Sequence, residues 1–493
     1  MRACQYSARV TRRPLALVVA LLLVGCTSDP GVSARSAATI TTQTETTPVE
    51  STPATAGDGI GDSLFPSLGN PGIDVMHYDV DISYDAVEDV VEGTVAIDLL
   101  LTEDRAQITL DSAGPAVSTV LVDGVLAVAE QDPPELRITL PRQGRAGDEL
   151  QLTIAYSVAT QPVDSPIGLE SGWFNTAGGS YVLNEPDGAR TWLPCNDHPS
   201  DKATFTFAIA VPAGVTAVAN GALEDHRTAA DSEVWVWQED RPMATYLVQL
   251  LTGDYEVIES ESREGLPLVS VVLRDDLATM QPFIDVTPTM IEFFEQYFGE
   301  YPLDRYGVAM TDSFGGLAME TQGRSLFSRD DFAEGSLGVS QQRYLSHELA
   351  HQWFGDAVSP ARWQDIWLNE SFATYGEWMW SDHIGIADLD ATAMYELNYR
   401  SPGSSADPTA DSLFGSNSYG GGAVVLHALR LTIGDDAFFE LLTRWVAENN
   451  GESRTTEDFI ALATDVAGKP LPQFFDEWLY AAMPPTEFPM STA

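Results

Sequence analysis

Between Asp62 and about Val257, apolar and polar residues take turns. His77–Tyr84 reads HYDVDISY, and Thr94–Leu99, Glu149–Ile154, Ala203–Ile209, Glu233–Trp237 and Tyr246–Leu250 keep the same period of two. Alternation of this kind turns one face of a strand to a core and the other to water. Gly, Pro and Asp-Gly pairs punctuate the runs. The pattern predicts an N-terminal antiparallel β-domain over residues 62–257.

After Gly253 the period lengthens. Phe283, Val286, Met290, Phe293 and Phe294 share one helical face within Pro282–Tyr297. Tyr306–Ala309 and Gly316–Glu320 predict two short strands. A helix ending near Gly355, a second over about Ala361–His383, and further helices at Ala423–Leu431, Asp436–Asn449 and Thr456–Gly468 follow. The chain is therefore expected to be α+β and multidomain, with a second domain, residues 258–493, that is mostly helical after a small sheet. Little follows Phe474–Tyr480, so no large further helical domain is expected.

The first residues change the picture. Arg2, Arg9, Arg12 and Arg13 flank an apolar run, Leu15–Val24, too short to span a bilayer as a mature helix. Leu23-Val24-Gly25-Cys26 follows and resembles a bacterial lipoprotein processing site. That resemblance implies a signal peptide over residues 1–25, cleavage before Cys26 and lipid on its thiol. Residues 26–61, rich in Ser, Thr, Ala and Pro, then read as a flexible tether. The expected location is the outer face of the bacterial cell membrane, touched only through the lipid.

Charge narrows the partners. The chain carries 25 basic and 73 acidic side chains, a formal charge of −48, and its only lysines are Lys202 and Lys469. Such acidity excludes nucleic acid and anionic headgroups as partners, since both are polyanions. With Cys4 cleaved away and Cys26 acylated, Cys195 is the one thiol left, so no internal disulfide is expected. A monomer is the expected state.

The chemistry gathers in HELAHQWFGDAVSPARWQDIWLNE, His347 to Glu370. His347 and His351, four apart on a helix, stack on one face and can hold two corners of a tetrahedral zinc site. Glu348 points about 100° away round the helix, poorly placed as a ligand and well placed to touch a water at the metal. Glu370, 19 residues after His351, sits on the next helix and can supply the third donor. An HExxH string alone arises by chance in on the order of one chain in a hundred of this length. The second helix carrying Asn369-Glu370 makes chance a poor explanation.

Three further stretches accompany it: Asn184-Glu185-Pro186-Asp187-Gly188-Ala189-Arg190, Leu317-Ala318-Met319-Glu320-Thr321 and Ser418-Tyr419-Gly420-Gly421-Gly422. In this order and spacing the four motifs resemble the M1 family of zinc aminopeptidases, over about residues 62–480. The resemblance implies a thermolysin-like (gluzincin) catalytic domain and one zinc ion per chain, held by His347, His351 and Glu370. It implies Glu348 as general base, Tyr419 as donor to the oxyanion, and Glu185 and Glu320 as readers of a free α-ammonium. Ala318 and Met319 are then expected beside the substrate, and the reaction is hydrolytic removal of N-terminal residues from peptides. Leu317 and Thr321 depart from the commonest form of that motif, Gly-Ala-Met-Glu-Asn, so whatever its Asn orients must be held otherwise. His198, His383 and His427 read as structural. Trp353, Trp363, Trp367, Trp378 and Trp380 are expected to pack the two zinc helices together.

Overall fold

A computed structural model describes residues 59–312 and 317–490. Cys26, the export segment 1–25 and nearly all of the tether lie outside the described residues. Among those described, no helix is long and apolar enough to cross a membrane.

The alternating runs become strands, and they bury as their period dictates. Ile73–Asp85 and Lys202–Pro212 alternate buried and accessible positions along almost their whole length. Eight strands form one sheet, in the order Ala222–Thr228, Ser232–Ala244, Lys202–Pro212, Ile73–Asp85, Val90–Leu101, Glu149–Ala159, Ala116–Val122, Val125–Leu126. The sheet is antiparallel except at its centre, where Ile73–Asp85 and Lys202–Pro212 run parallel. Their connection passes through ten more strands of this half of the chain, long enough to return the chain in the same direction. Val80, Ile82, Val95, Ile97 and Phe207 are fully buried beneath it. Each such side chain contributes about 1.5–3 kcal/mol relative to exposure.

A second sheet, five-stranded and antiparallel, includes Glu170–Thr176, Gly179–Leu183 and Leu250–Gly253. The expected strand Tyr246–Leu250 is corrected here. Thr245–Leu247 is a 3-10 turn, and the strand begins only at Leu250. All of Thr245–Leu251 is buried, so alternation could not report its conformation, and the side chains of Tyr246 and Gln249 bond into the second half instead. The Tyr246 hydroxyl donates to the Gly355 carbonyl at 3.2 Å and accepts from Asn369 Nδ2 at 3.1 Å.

The third sheet leads into the helical half. Its order is Tyr255–Glu261, Pro267–Leu273, Val308–Thr311, Ser325–Ser328, Ala318–Met319, with the last as a two-residue edge. The long helix Leu277–Phe298 covers it through Phe283, Met290, Phe293 and Phe294. Two helices then carry the motif: Val339–His351 and Trp367–His383. They approach so closely that a Cβ on Gly376 would lie 2.9 Å from Ala350 Cβ.

Of the tryptophans expected to pack these two helices together, Trp380 does join them, its Nε1 donating to Gln342 Oε1 at 3.1 Å, but the rings turn mainly to other neighbours. Trp363 packs on Phe65 and Tyr246 of the β-rich half, Trp353 on Phe298 and Tyr301, and Trp380 on Phe293. Trp367 meets Phe459, and Trp378 meets Tyr375 of its own helix. Small residues occupy the contact itself, and the large rings brace the helix pair from outside. His198 bonds Ser200 and Asp62, and His383 lies against Phe293 and Trp380, both structural as expected.

A π-helical turn, Asn417–Gly421, runs into the helix Gly422–Ile433. Gly422 sits where a Cβ would fall 1.9 Å from Ser371 Oγ, and that hydroxyl donates to the Ser418 carbonyl at 2.6 Å. Alanine in a helix gains up to about 1 kcal/mol over glycine. Here the overlap outweighs it, because overpacking costs typically 1–3 kcal/mol. Gly422→Ala is therefore expected to lower the thermal and urea unfolding midpoints. A midpoint equal to or above wild type would show that the turn is not held against the glutamate helix.

Candidate metal centre and active-site cleft

The helix Val339–His351 places the two imidazoles one turn apart, with ring centroids 4.8 Å from each other. Gly355, at φ +135°, then turns the chain away, in a conformation that favours glycine. The next helix brings Glu370 back in its first turn. Glu370 Oε2 lies 3.3 Å from His347 Nε2 and 3.5 Å from His351 Nε2. With zinc–ligand bonds of about 2.0–2.1 Å, a tetrahedral site has edges of about 3.3 Å, so two nitrogens and an oxygen at these separations fit that ion. All three donors lie within 4.8 Å of one another.

Outer contacts fix the donors. His351 Nδ1 is 3.2 Å from the Phe354 carbonyl, and His347 Nδ1 is 3.7 Å from Glu377 Oε2. Glu377 is bound in turn by Arg343. Ligating histidines ordinarily give their second ring nitrogen to such a carboxylate or carbonyl. The sequence analysis missed Glu377. The signal was available: it lies seven residues after Glu370, two turns along the same face of the same helix.

Glu348 and Glu320 approach from the other side of His351, and the three offer donor atoms within 4.8 Å. Glu348 is buried, and burial pushes its carboxyl up to about 7 even though both histidines oppose the shift. Glu370 is equally buried, but His351 and His347 outweigh burial and hold it down at about 2. Two carboxylates in one cleft thus have opposite proton affinities, and the one that is not a donor in the triad is the one suited to exchange protons.

Glu320 follows directly on the edge strand Ala318–Met319. Gln352 fixes that strand to the histidine helix: its Nε2 donates to the Glu320 carbonyl at 3.0 Å and its Oε1 accepts from Gly323 N at 2.8 Å. The departure at Thr321 has a local answer. Its hydroxyl donates to the Arg324 carbonyl and accepts from Gln249 Nε2 at 2.8 Å, so Gln249 brings the amide that Thr321 lacks. Leu317 points largely to solvent. Met319 is buried, and Ala318 is half-buried beside it.

Glu185 comes from the β-rich half, in the turn after Gly179–Leu183, and reaches within 4.8 Å of both Glu320 and Glu370. Burial, then Glu320 and Glu370, drive its carboxyl well above the usual range. Its neighbour Asn184 is structural, donating to the Val248 carbonyl and accepting from Trp192 Nε1. Tyr419, in the π-turn, stacks nearly parallel to His347 at 5.9 Å between centroids. Burial and four surrounding carboxylates raise its phenol well above the ordinary value, so it keeps its proton and can donate. The structure thus brings His347, Glu348, His351, Glu370, Glu320, Glu185 and Tyr419 together where the two halves meet, and Cys26 lies outside the described residues.

Comparison with known proteins agrees with this arrangement. The model of the peptidase M1 N-terminal domain matches residues 75–247, and that of the peptidase family M1 domain matches residues 283–478. Probable aminopeptidase 2 of Sulfurisphaera tokodaii is 30% identical over 328 residues, covering 61% of this chain and 41% of its own. Glutamyl aminopeptidase of Sus scrofa is 28% identical over 319 residues, covering 60% and 34%. The chain thus spans between a third and about half the length of the curated relatives it matches. Among solved structures, the M1 zinc metallopeptidase of Deinococcus radiodurans superposes with a TM-score of 0.79 at 33% identity, covering 88% of this chain and 99% of that one. A substituted form of it bound to a Tyr-Ser-Ala substrate gives 0.80 at 32% identity, covering 88% and 99%. On these matches, and on the convergence of its four motifs, the chain belongs to peptidase family M1.

Proposed function

We propose that this protein is a zinc aminopeptidase that hydrolyses the first peptide bond of peptides with a free amino terminus, using one zinc ion per chain. The observation that carries the reading is the joining, in one cleft, of the His347–His351–Glu370 donor set with the two further carboxylates of Glu185 and Glu320. When bound, zinc supplies a Lewis acid and acidifies water at neutral pH. Glu348, with its raised proton affinity, takes a proton from the attacking water and gives it to the leaving amine. Tyr419 donates its phenolic proton in a hydrogen bond to the oxygen on which charge develops. Glu185 and Glu320 accept charge-assisted hydrogen bonds from the α-ammonium, which sets the cut one residue from the end. The Tyr-Ser-Ala complex of the Deinococcus relative supports short peptides as substrates.

Glu348→Gln should lower kcat by about 10²–10⁴-fold while metal analysis still finds one zinc per chain. Loss of zinc instead would make Glu348 a ligand. Wild-type enzyme should cleave amino-acid anilides and spare their N-acetylated forms, and equal cleavage of both would end the exopeptidase reading. Glu377→Gln should weaken zinc binding by roughly 10–100-fold in a chelator competition, and an unchanged affinity would remove Glu377 from the metal's support.

The proposal extends to location. The Leu23-Val24-Gly25-Cys26 sequence and the tether behind it support export and lipid anchoring at Cys26 on the outer face of a bacterial cell membrane, as a monomer. Cys26→Ser, expressed in a bacterial host, should move the enzyme from the membrane pellet to the soluble fraction. A protein that stays in the pellet would be held by something other than that lipid.

A further inference from the structure

Glu185, Glu320 and Glu370 form a cluster of their own. Each brings a carboxylate oxygen within 4.8 Å of the others, and only Glu370 is shared with the zinc donors. Oε1 of Glu320 and Oε1 of Glu185 are buried with no hydrogen-bond partner among the described residues, and Glu320 is 3% exposed overall. No lysine or arginine among the described residues pairs with any of the three. Their ion pairs are those of Glu370 with His347 and His351. Unpartnered carboxylate oxygens taken out of water call for a counter-charge.

We propose that these three carboxylates form a second cation site, for a hard divalent ion, which the substrate's α-ammonium empties. The donor set is all oxygen. Such sets suit Mg²⁺, Ca²⁺ and Mn²⁺, whereas a set with two imidazole nitrogens suits zinc. Glu370 has two oxygens and can give one to each ion, as bridging carboxylates do in two-metal centres. An ion held there occupies the place assigned above to the amino terminus. It therefore inhibits by competition and leaves the hydrolytic groups untouched. This consequence rests on the aminopeptidase reading, and the existence of the site does not.

The test uses the zinc-loaded, full-length protein titrated with Mn²⁺, with free Mn²⁺ followed by electron paramagnetic resonance. Mn²⁺ stands below Zn²⁺ in affinity for nitrogen-containing sites, so zinc stays in place, and metal analysis checks that it does. A chain of charge −48 also collects Mn²⁺ on its surface. The site is therefore read as the Mn²⁺ that wild type binds beyond the Glu320→Gln and Glu185→Gln variants, both checked for folding by circular dichroism. The expected result is one such Mn²⁺ per chain, released by L-arginine through its α-ammonium. Mn²⁺ should also raise the KM of wild type for an amino-acid anilide at constant kcat. Equal Mn²⁺ binding in wild type and both variants overturns the proposal. So does L-arginine that binds by calorimetry without displacing the ion. L-arginine that does not bind at all counts against the aminopeptidase reading instead, and a Mn²⁺ lost in both variants would still establish the cation site.

Discussion

One carboxylate holds this structure's chemistry together. Glu370 must stand within about 3.5 Å of two imidazoles that lie 19 and 23 residues earlier in the chain. Neither helix can do this alone. The histidine helix fixes its two rings by periodicity, but the third donor depends on how closely the next helix packs against it. Gly376 and Ala350 permit that approach, and no larger side chain would fit at Gly376 without pushing the helices apart. The aromatic rings around the pair then resist sliding, since each fills space against a different neighbour.

The β-rich half takes part in the same constraint. Tyr246 bonds both the Gly355 carbonyl and Asn369, and Lys202 Nζ donates to the Asp356 carbonyl at 2.6 Å. These bonds grip the loop that joins the two zinc helices. The Asp62 carboxylate accepts from Trp363 N at 2.9 Å, farther along the same loop. The first half of the chain thus supplies more than Glu185. It clamps the connection whose shape decides where Glu370 falls. Asp356 shows the electrostatic side of this arrangement: burial and Glu320 raise its proton affinity well above the ordinary, beside a cleft already crowded with acids.

Much of this was legible in the residues. The period of two located the strands of the large sheet, because one face of each is wet and the other dry. His347, His351 and Glu370 could be grouped because spacing on a helix is geometry. Tyr246–Leu250 failed for a physical reason: a wholly buried segment has no wet face, so its pattern says nothing about its backbone. The parallel pair at the centre of the sheet was also hidden, since alternation gives a strand's faces and not its neighbour's direction. Gln352, Gln249 and Glu377 escaped notice because each acts through partners distant in sequence. Only Glu377, on the helical repeat of Glu370, left a trace that could have been read. Apart from Trp380, which bonds Gln342 across the pair, the tryptophans were misassigned because their number near the motif was read as contact, whereas the closest approach admits only small residues.

The charge pattern of the cleft is what the proposed exopeptidase action rests on. Glu185, Glu320, Glu348 and Glu370 lie close together, out of water, with two imidazoles as their nearest positive partners. A cleft in this state is poorly matched to a neutral peptide segment, which brings no charge to relieve the repulsion. It is matched to a chain end, where a cationic metal and an α-ammonium together supply the missing positive charge. In the proposed reaction, position along the substrate is read by charge. The same logic accounts for the opposite proton affinities of Glu348 and Glu370. Two carboxylates of one composition differ because burial prevails at Glu348, whereas at Glu370 the charge of both histidines and the hydrogen bonds to them outweigh burial. The fold produces that difference by placing them on successive helices, with only Glu370 hydrogen-bonded to both imidazoles.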